Sequence, residues 1–280
     1  VEKAMNLDLN NTTTVAASSE SGKLGHEKEE DIEEIEDSPE QIEKMAKSVA
    51  GYLKNAKYAV AYTGAGISTP ANIPSYRGPQ GVWTCKDKGI TPPKGIPLER
   101  AQPTVTHMAL KALVDSGLLK MVVSTNCDGL HQKSGIAPEK LSELHGNSFV
   151  EVCEKCGKRY ERDFDVFVGD THHYTGRQCT DTLGCNGKLR DNIKHLIESM
   201  PLDELCESRQ SKPPSRCLTC FEHINDGLSS STTALYSPCL VICNFQRTKF
   251  DQQATTRVFA KTNDLMTQVM AHLNILIPSI

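Results

Sequence analysis

The stretch from Tyr58 to Trp83, YAVAYTGAGISTPANIPSYRGPQGVW, constrains this chain more than any other. It begins with a short apolar run, Tyr58-Ala59-Val60-Ala61-Tyr62, set between turn formers, which is the pattern of a strand buried on both faces. The run breaks into Thr63-Gly64-Ala65-Gly66-Ile67-Ser68-Thr69, where paired glycines predict a tight turn and a close approach by a ligand. Free N–H groups there, with the hydroxyls of Ser68 and Thr69, form an expected anion cradle after a strand. Arg77, Gly78, Pro79 and Trp83, the only tryptophan, follow on a loop punctuated by Pro and Gly. A permanent cation and a flat aromatic beside a phosphate cradle read as a nucleotide clamp. The Gly-x-Gly lacks the third glycine of the dinucleotide fingerprint, so alone it is a weak signal.

Helix and strand patterns alternate around this stretch. Ser38-Pro39-Glu40-Gln41 reads as an N-cap, a first-turn proline and a capping box. Ile42, Met45, Ala46, Val49 and Leu53 then recur at helical spacing and predict an apolar stripe against a sheet. A second helix is expected from Pro103-Thr104-Val105-Thr106-His107 to near Gly117, with His107 in a structural hydrogen bond. Lys120–Ser124 is a second buried strand and ends in the polar cluster Thr125-Asn126-Cys127-Asp128-Gly129-Leu130-His131. Open α/β sheets bind ligands beyond the carboxyl ends of their strands. Two such clusters predict a doubly wound parallel sheet. His145, followed at once by Gly146, is expected on a loop facing the crevice of Asn126 and Asp128, where it is a candidate general base. Leu240–Asn244 reads as a further strand, and a last amphipathic helix carries Leu265, Met266, Val269, Met270 and Leu273.

The remaining features bound the class of protein. A chain of 280 residues is one large domain, or one domain plus a small module. A formal net charge of −4 excludes a global basic field for nucleic acid. No apolar run approaches the ~20 residues of a membrane span. Glu27–Asp37 is a nearly continuous acidic run after a polar stretch, so residues 1–37 are expected to form a disordered tail. Eleven cysteines, with no leader pattern at the start of the sequence, favour metal ligation in a reducing compartment over a disulfide framework. Cys153 and Cys156 form a knuckle and Cys179 and Cys185 a second pair, the pattern of a closed four-thiolate zinc site. The second pair is more widely spaced than the standard, and Cys217-x-x-Cys220 is its rival.

Several stretches together resemble one family. TGAGIST (Thr63–Thr69), IPSYRGPQGVWT (Ile73–Thr84), PTVTHMAL (Pro103–Leu110), NCDGLH (Asn126–His131) and LHGN (Leu144–Asn147) match the sirtuins, NAD-dependent protein deacylases. Cys153-x-x-Cys156, Thr175-Gly176-Arg177, KLRD (Lys188–Asp191) and NFQRTKFD (Asn244–Asp251) continue the likeness, which is strongest to the chromatin-associated nuclear branch. The resemblance implies a Rossmann-like α/β domain over 38–150 and 187–280, with a small zinc-binding module at 151–186 inserted in it. An acyl-lysine peptide would pair as an added strand in the cleft between them. The resemblance places NAD on Gly64, Ala65, Gly66, Thr69, Tyr76, Arg77 and Trp83, with Thr125 and Asn126 near the ribose. Asn244, Gln246 and Thr262 fall at the adenosine end. His145 is then the base that activates a ribose hydroxyl, while Asn126 and Asp128 position ribose and nicotinamide. The implied activity is deacylation of histone tails or other nuclear proteins, releasing nicotinamide and O-acyl-ADP-ribose, with mono-ADP-ribosyl transfer as a side activity. The implied protein is a nuclear, chromatin-associated monomer without membrane contact.

The chain departs from the family pattern in four places. The family has an aspartate at Ser75 and a glutamine at Thr125, whose side chain is too short for the same ribose hydrogen bond. Leu196-Ile197-Glu198 stands where the nuclear branch can have a Trp-Glu-Asp run. Residues 202–239 show no strand-loop-helix pattern and no Gly-Ser/Thr-Ser loop, with 228–233 only a remote echo of it. The alternative expectation is therefore a sirtuin-like NAD- and zinc-binding chromatin protein with weakened or lost catalysis.

Overall fold

The computed structural model describes residues 33–169, 172–181, 184–194, 217–219, 239–248 and 250–279. Residues 1–32, Leu196-Ile197-Glu198 and 228–233 lie outside the described residues. Helix α1 (Pro39–Asn55) starts where the sequence signals it. Ser38 Oγ accepts the Gln41 N–H, and Gln41 Oε1 accepts the Ser38 N–H at 2.9 Å. The helix buries Ile42, Ala46, Val49, Ala50 and Leu53. Strand β1 (Val60–Thr63) follows, then α2 (Val82–Asp87) and α3 (Val105–Asp115). Strand β2 (Met121–Ser124), the short helix α4 (Leu130–Lys133) and β3 (Leu141–Glu143) complete the first half.

β1, β2 and β3 form a parallel sheet in that order. Successive side chains of a strand face opposite ways. Ala59, Ala61 and Val122 accordingly enter the large core with α1 and α3, whereas Val60, Met121, Val123 and Leu144 form a separate cluster. Both faces are apolar, so the run reads as continuous rather than alternating. The register pairs Thr63 with Ser124 and Ser124 with Glu143. These residues form one row, so the segments after all three strands open at the same end of the sheet.

Strands β4 (Val150–Cys153), β5 (Arg159–Glu161), β6 (Tyr174–Gln178) and β7 (Lys188–Asp191) make an antiparallel sheet ordered β5-β4-β7-β6. Strand β8 (Cys217–Thr219) lies inside the stretch whose sequence shows no strand pattern. It pairs in parallel with β9 (Leu240–Cys243), which pairs in parallel with β10 (Thr256–Val258). Cα atoms of β8 approach those of β1 within 8 Å, so the parallel sheets abut in the order β3-β2-β1-β8-β9-β10. Helix α5 (Thr262–Leu273) packs against α1 and α3, and its Leu265, Met266, Val269, Met270 and Leu273 join the large core. Among the described residues, no helix is long and apolar enough to cross a membrane.

Candidate active site

The bend after β1 is held by the polar end of β2. Asn126 Nδ2 donates to Gly64 O at 2.9 Å and to Ser68 Oγ at 3.2 Å. Ser68 Oγ in turn donates to Asp128 Oδ2 at 2.6 Å, and Asp128 Oδ1 accepts the Leu130 N–H at 2.9 Å. Ser68, Asn126 and Asp128 are all buried, and every one of these bonds bridges or caps a loop. One sequence expectation is corrected here. Ser68 and Thr69 do not offer their hydroxyls to a cradle, because Ser68 donates to Asp128 and Thr69 Oγ1 to Gly66 O at 3.1 Å. The tight bend uses no left-handed glycine: Gly64 is extended (φ −139°) and Gly66 is not among the residues at positive φ. What remains is the open backbone of Gly64, Ala65 and Gly66. Ile67 N–H is bonded to Gly64 O at 3.2 Å, so the amides of Ala65 and Gly66 stand at the open start of the turn.

Beneath this bend lies a pair of buried imidazoles. His131 shares a 2.8 Å hydrogen bond with Thr63 Oγ1, and its ring centroid is 4.8 Å from that of His107. His107 completes a capping box at the start of α3: Thr104 N–H donates to Nδ1 at 3.2 Å, while Thr104 Oγ1 donates to Ile67 O at 2.9 Å. His107 Nε2 and His131 Nδ1 have no hydrogen-bond partner. Burial lowers both rings well below the ordinary imidazole range. They therefore support the glycine bend as neutral groups.

His145 sits on the segment after β3. Burial lowers its pKa, and a hydrogen bond to the Thr125 backbone opposes that shift. Thr125 N–H donates to Thr63 O at 3.1 Å, which holds Thr125 beside the end of β1. Cys127 Sγ donates to His145 O at 3.3 Å and Lys194 N–H donates to the same oxygen at 3.0 Å. Gly146 has φ +83°, and a Cβ there would lie 2.7 Å from the Asn192 carbonyl carbon and closer still to its oxygen. Asn192 Oδ1 also accepts the Asn147 N–H at 2.9 Å. The segment after β7 thus buttresses the histidine loop. Asn192 carries no sequence signal beyond its adjacency to Lys188–Asp191.

The loop before α2 carries the clamp residues. Arg77 stacks its guanidinium 4.8 Å above Trp83, and Tyr76 lies 5.0 Å from the same ring. Ser75 Oγ donates to Arg77 O at 2.6 Å, and Thr125 Oγ1 donates to Thr63 O at 3.3 Å. Both side chains are therefore turned onto backbone. After β9, Gln246 is buried and its N–H donates to Asn244 Oδ1 at 3.4 Å. Arg257 fixes this loop by donating to Asn244 O at 2.9 Å and to Gln246 O, while its Nε meets Asp251 Oδ1 at 2.8 Å. No sequence motif pointed to Arg257. Gln246 reaches the clamp loop, since its Nε2 lies 3.7 Å from the position a Cβ would take on Gly78. Thr262, by contrast, accepts a 3.0 Å hydrogen bond from Thr106 at the start of α3.

The sulfur atoms of Cys153, Cys156, Cys179 and Cys185 lie within 4.8 Å of one another. A Cβ on Gly187 would lie 2.6 Å from Cys153 Sγ, so a bare residue is needed beside the cluster. Four convergent sulfurs at the tip of a small antiparallel sheet fit a tetrahedral zinc ion with no open position. Cys185 fills the fourth place despite its wide spacing from Cys179. Cys220 and the side chain of Cys217 lie outside the described residues.

Comparisons with known proteins agree with this architecture. A model of the Sir2 family matches residues 93–220. The NAD-dependent protein deacetylase sirtuin-7 of Bos taurus is 39% identical over 263 residues, covering 88% of this chain and 64% of its own length. The NAD-dependent protein deacetylase Sirt6 of Drosophila melanogaster is 34% identical over 253 residues, covering 86% of this chain and 79% of its own. A solved structure of Sir2 bound to acetylated peptide superimposes with a TM-score of 0.61 at 27% identity, over 82% of this chain and 99% of that one. The chain thus spans somewhat less than two thirds of the length of the sirtuin-7 relative. With the parallel sheet, the glycine bend and the four-cysteine module in place, the chain belongs to the Sir2 family, the sirtuins.

Proposed function

We propose that the chain is an NAD-dependent protein-lysine deacylase, built as a Rossmann-like domain (38–150 and 187–280) with a zinc module at 151–186. The observation that carries this is the joining of Gly64, Asn126, Asp128 and the His145 backbone at one end of the parallel sheet by the hydrogen bonds of Asn126, Ser68 and Cys127. Relatives named NAD-dependent protein deacetylase and a neighbour bound to acetylated peptide support it. The residues fit NAD: bare backbone amides for its phosphates, a cation stacked on an aromatic, and buried polar groups beyond the strand ends.

NAD, consumed as co-substrate, supplies an electrophilic ribose carbon and nicotinamide as leaving group. Gly64, Ala65 and Gly66 admit its backbone, with Thr69, Tyr76, Arg77 and Trp83 as walls. Asn126 and Asp128, locked by Ser68, orient polar contacts where positive charge develops, and such preorganised groups act most strongly in a water-poor site. His145 accepts a proton from a ribose hydroxyl; its lowered pKa keeps the ring neutral at physiological pH. Thr125, Asn244, Gln246 and Thr262 complete the nucleotide side. Cys153, Cys156, Cys179 and Cys185 hold zinc, which has no open position and serves the module's fold. The products are nicotinamide and O-acyl-ADP-ribose, with mono-ADP-ribosyl transfer as a side reaction. Nuclear placement, histone tails among the substrates, chromatin association and a monomeric state complete the reading, on the resemblance of the sequence motifs to the nuclear branch of the family.

Incubation of the purified chain with NAD and an acetyl-lysine peptide should release nicotinamide, and His145→Ala should abolish the release. Turnover no greater than that of the variant overturns the assignment. A second reading, an NAD- and zinc-binding protein with weak or no catalysis, is favoured by one observation. Ser75 and Thr125 both turn their hydroxyls onto backbone, where the family carries a carboxylate and a longer amide.

A further inference from the structure

We propose that Glu34 is a ligand for the ribose hydroxyls at the adenosine end of the crevice and makes the site select an unphosphorylated ribose. The inference rests on the NAD reading above. Glu33–Asp37 carries the end of the acidic run, yet it is docked on the two loops that follow β9 and β10. Ile35 N–H donates to Phe245 O at 2.9 Å and Asp37 N–H to Phe259 O at 2.7 Å. The Phe259 N–H returns a 2.7 Å bond to Asp37 Oδ2. These bonds fix the backbone immediately after Glu34.

The side chain then reaches the clamp loop. Around the point where Gly78 (φ +97°) lacks a Cβ, Glu34 Oε1 and Gln246 Nε2 each stand 3.7 Å away and Ser75 Oγ 3.8 Å away. A Cβ at this position would make ordinary van der Waals contact with all of them, so the three groups surround one point on the clamp loop. Ser75 already donates its proton to Arg77 O, and Gln246 is buried, whereas Glu34 is exposed. A carboxylate has only acceptor sites, and ribose hydroxyls are donors that match it. An acidic group reading a ribose hydroxyl is the device by which dinucleotide sites recognise the unphosphorylated form. A phosphate on that ribose would meet the carboxylate as a like charge, which discriminates by repulsion. The charge run that reads as a solvated tail therefore contributes a specificity residue.

The test is calorimetric titration of the purified full chain with NAD and, separately, NADP. The parent should bind NADP at least about tenfold more weakly than NAD. Glu34→Gln should weaken NAD binding by about tenfold, the loss of one charge-assisted hydrogen bond, and should bring the two affinities together. Glu36→Gln, an exposed acid on the same segment, should leave both affinities unchanged. Unchanged NAD affinity in Glu34→Gln overturns the proposal. So does tighter binding, which would mean that the carboxylate competes with the nucleotide. A parent that binds neither nucleotide overturns the NAD reading itself, and this inference with it.

Discussion

Asn126 Nδ2 donates to the Gly64 carbonyl across 2.9 Å, so a side chain from the end of β2 sets the position of the bend that ends β1. Neighbouring parallel strands would leave these two segments side by side but not locked. The same amide also donates to Ser68, whose hydroxyl is held by Asp128. In the proposed function Asn126 thus does two jobs, one on the backbone of its own protein, seen in these bonds, and one on the ribose of NAD.

Asn126→Ala should therefore lower the rate of nicotinamide release by about a hundredfold or more, the usual effect of deleting one preorganised polar contact. It should also cost roughly 1–3 kcal/mol of stability, because the Gly64 and Ser68 acceptors lose a buried donor. Steady-state kinetics with urea unfolding separates the effects. A stability loss with an unchanged rate would assign Asn126 to the bend alone.

The imidazole of His145 must be neutral to accept a proton. Burial lowers its pKa from the ordinary 6.5. The acid limb of the rate profile should then have its midpoint below pH 6.5, with full activity retained above it. Nicotinamide release measured from pH 5 to 8 reads this directly. A midpoint above 6.5 would mean that the protonated ring is stabilised and that another group acts as the base.

In the second reading, Ser75 and Thr125 are the residues that weaken catalysis. Their hydroxyls donate to Arg77 O and Thr63 O, so neither carries a charge or a long amide into the crevice. Ser75→Asp combined with Thr125→Gln should raise turnover at saturating NAD by about tenfold or more. A pair of substitutions that leaves the rate unchanged would place the rate limit elsewhere in the chain.

Much of this site is legible in the sequence because its parts are local. A Gly-x-Gly after an apolar run, a polar cluster after the next such run, and a His-Gly pair each mark a strand end, and the parallel register alone brings Thr63, Ser124 and Glu143 into one row. The zinc pair Cys179 and Cys185 is readable for the same reason, although its spacing weakens the signal. What the sequence hides is contact between distant segments. Arg257 clamps Asn244 and Gln246, Asn192 supports Gly146, and Glu34 reaches Gly78, none through a recognisable local pattern. β8 is hidden because three residues are too few for a hydrophobic period to declare itself.

The zinc site makes its own prediction. Cys153→Ser should abolish the metal measured by emission spectrometry and lower solubility, since ligation is coupled to folding of the module. Gly187→Ala should do much the same without removing a ligand, because the added methyl would lie 2.6 Å from Cys153 Sγ and 2.7 Å from Lys155 Cβ. Full zinc occupancy in Cys153→Ser would move the fourth ligand to another cysteine.

The adjacent buried pair His107 and His131 ties stability to pH. Burial lowers the pKa of both His107 and His131, so the folded chain binds fewer protons there than the unfolded chain does. Their contribution is complete above the ordinary value of 6.5 and is lost progressively as pH falls below it. Each ring adds a slope of up to about 1.4 kcal/mol per pH unit in that range. Urea midpoints measured between pH 7.5 and 5 should fall accordingly. Because His107 caps α3 through Thr104 and His131 holds Thr63, both located beside the glycine bend, nucleotide affinity should weaken over the same interval. His131→Asn should remove about half of the pair's share of the slope; a slope the same as in the parent would show that other titrating groups, rather than this pair, set the acid limit of the fold.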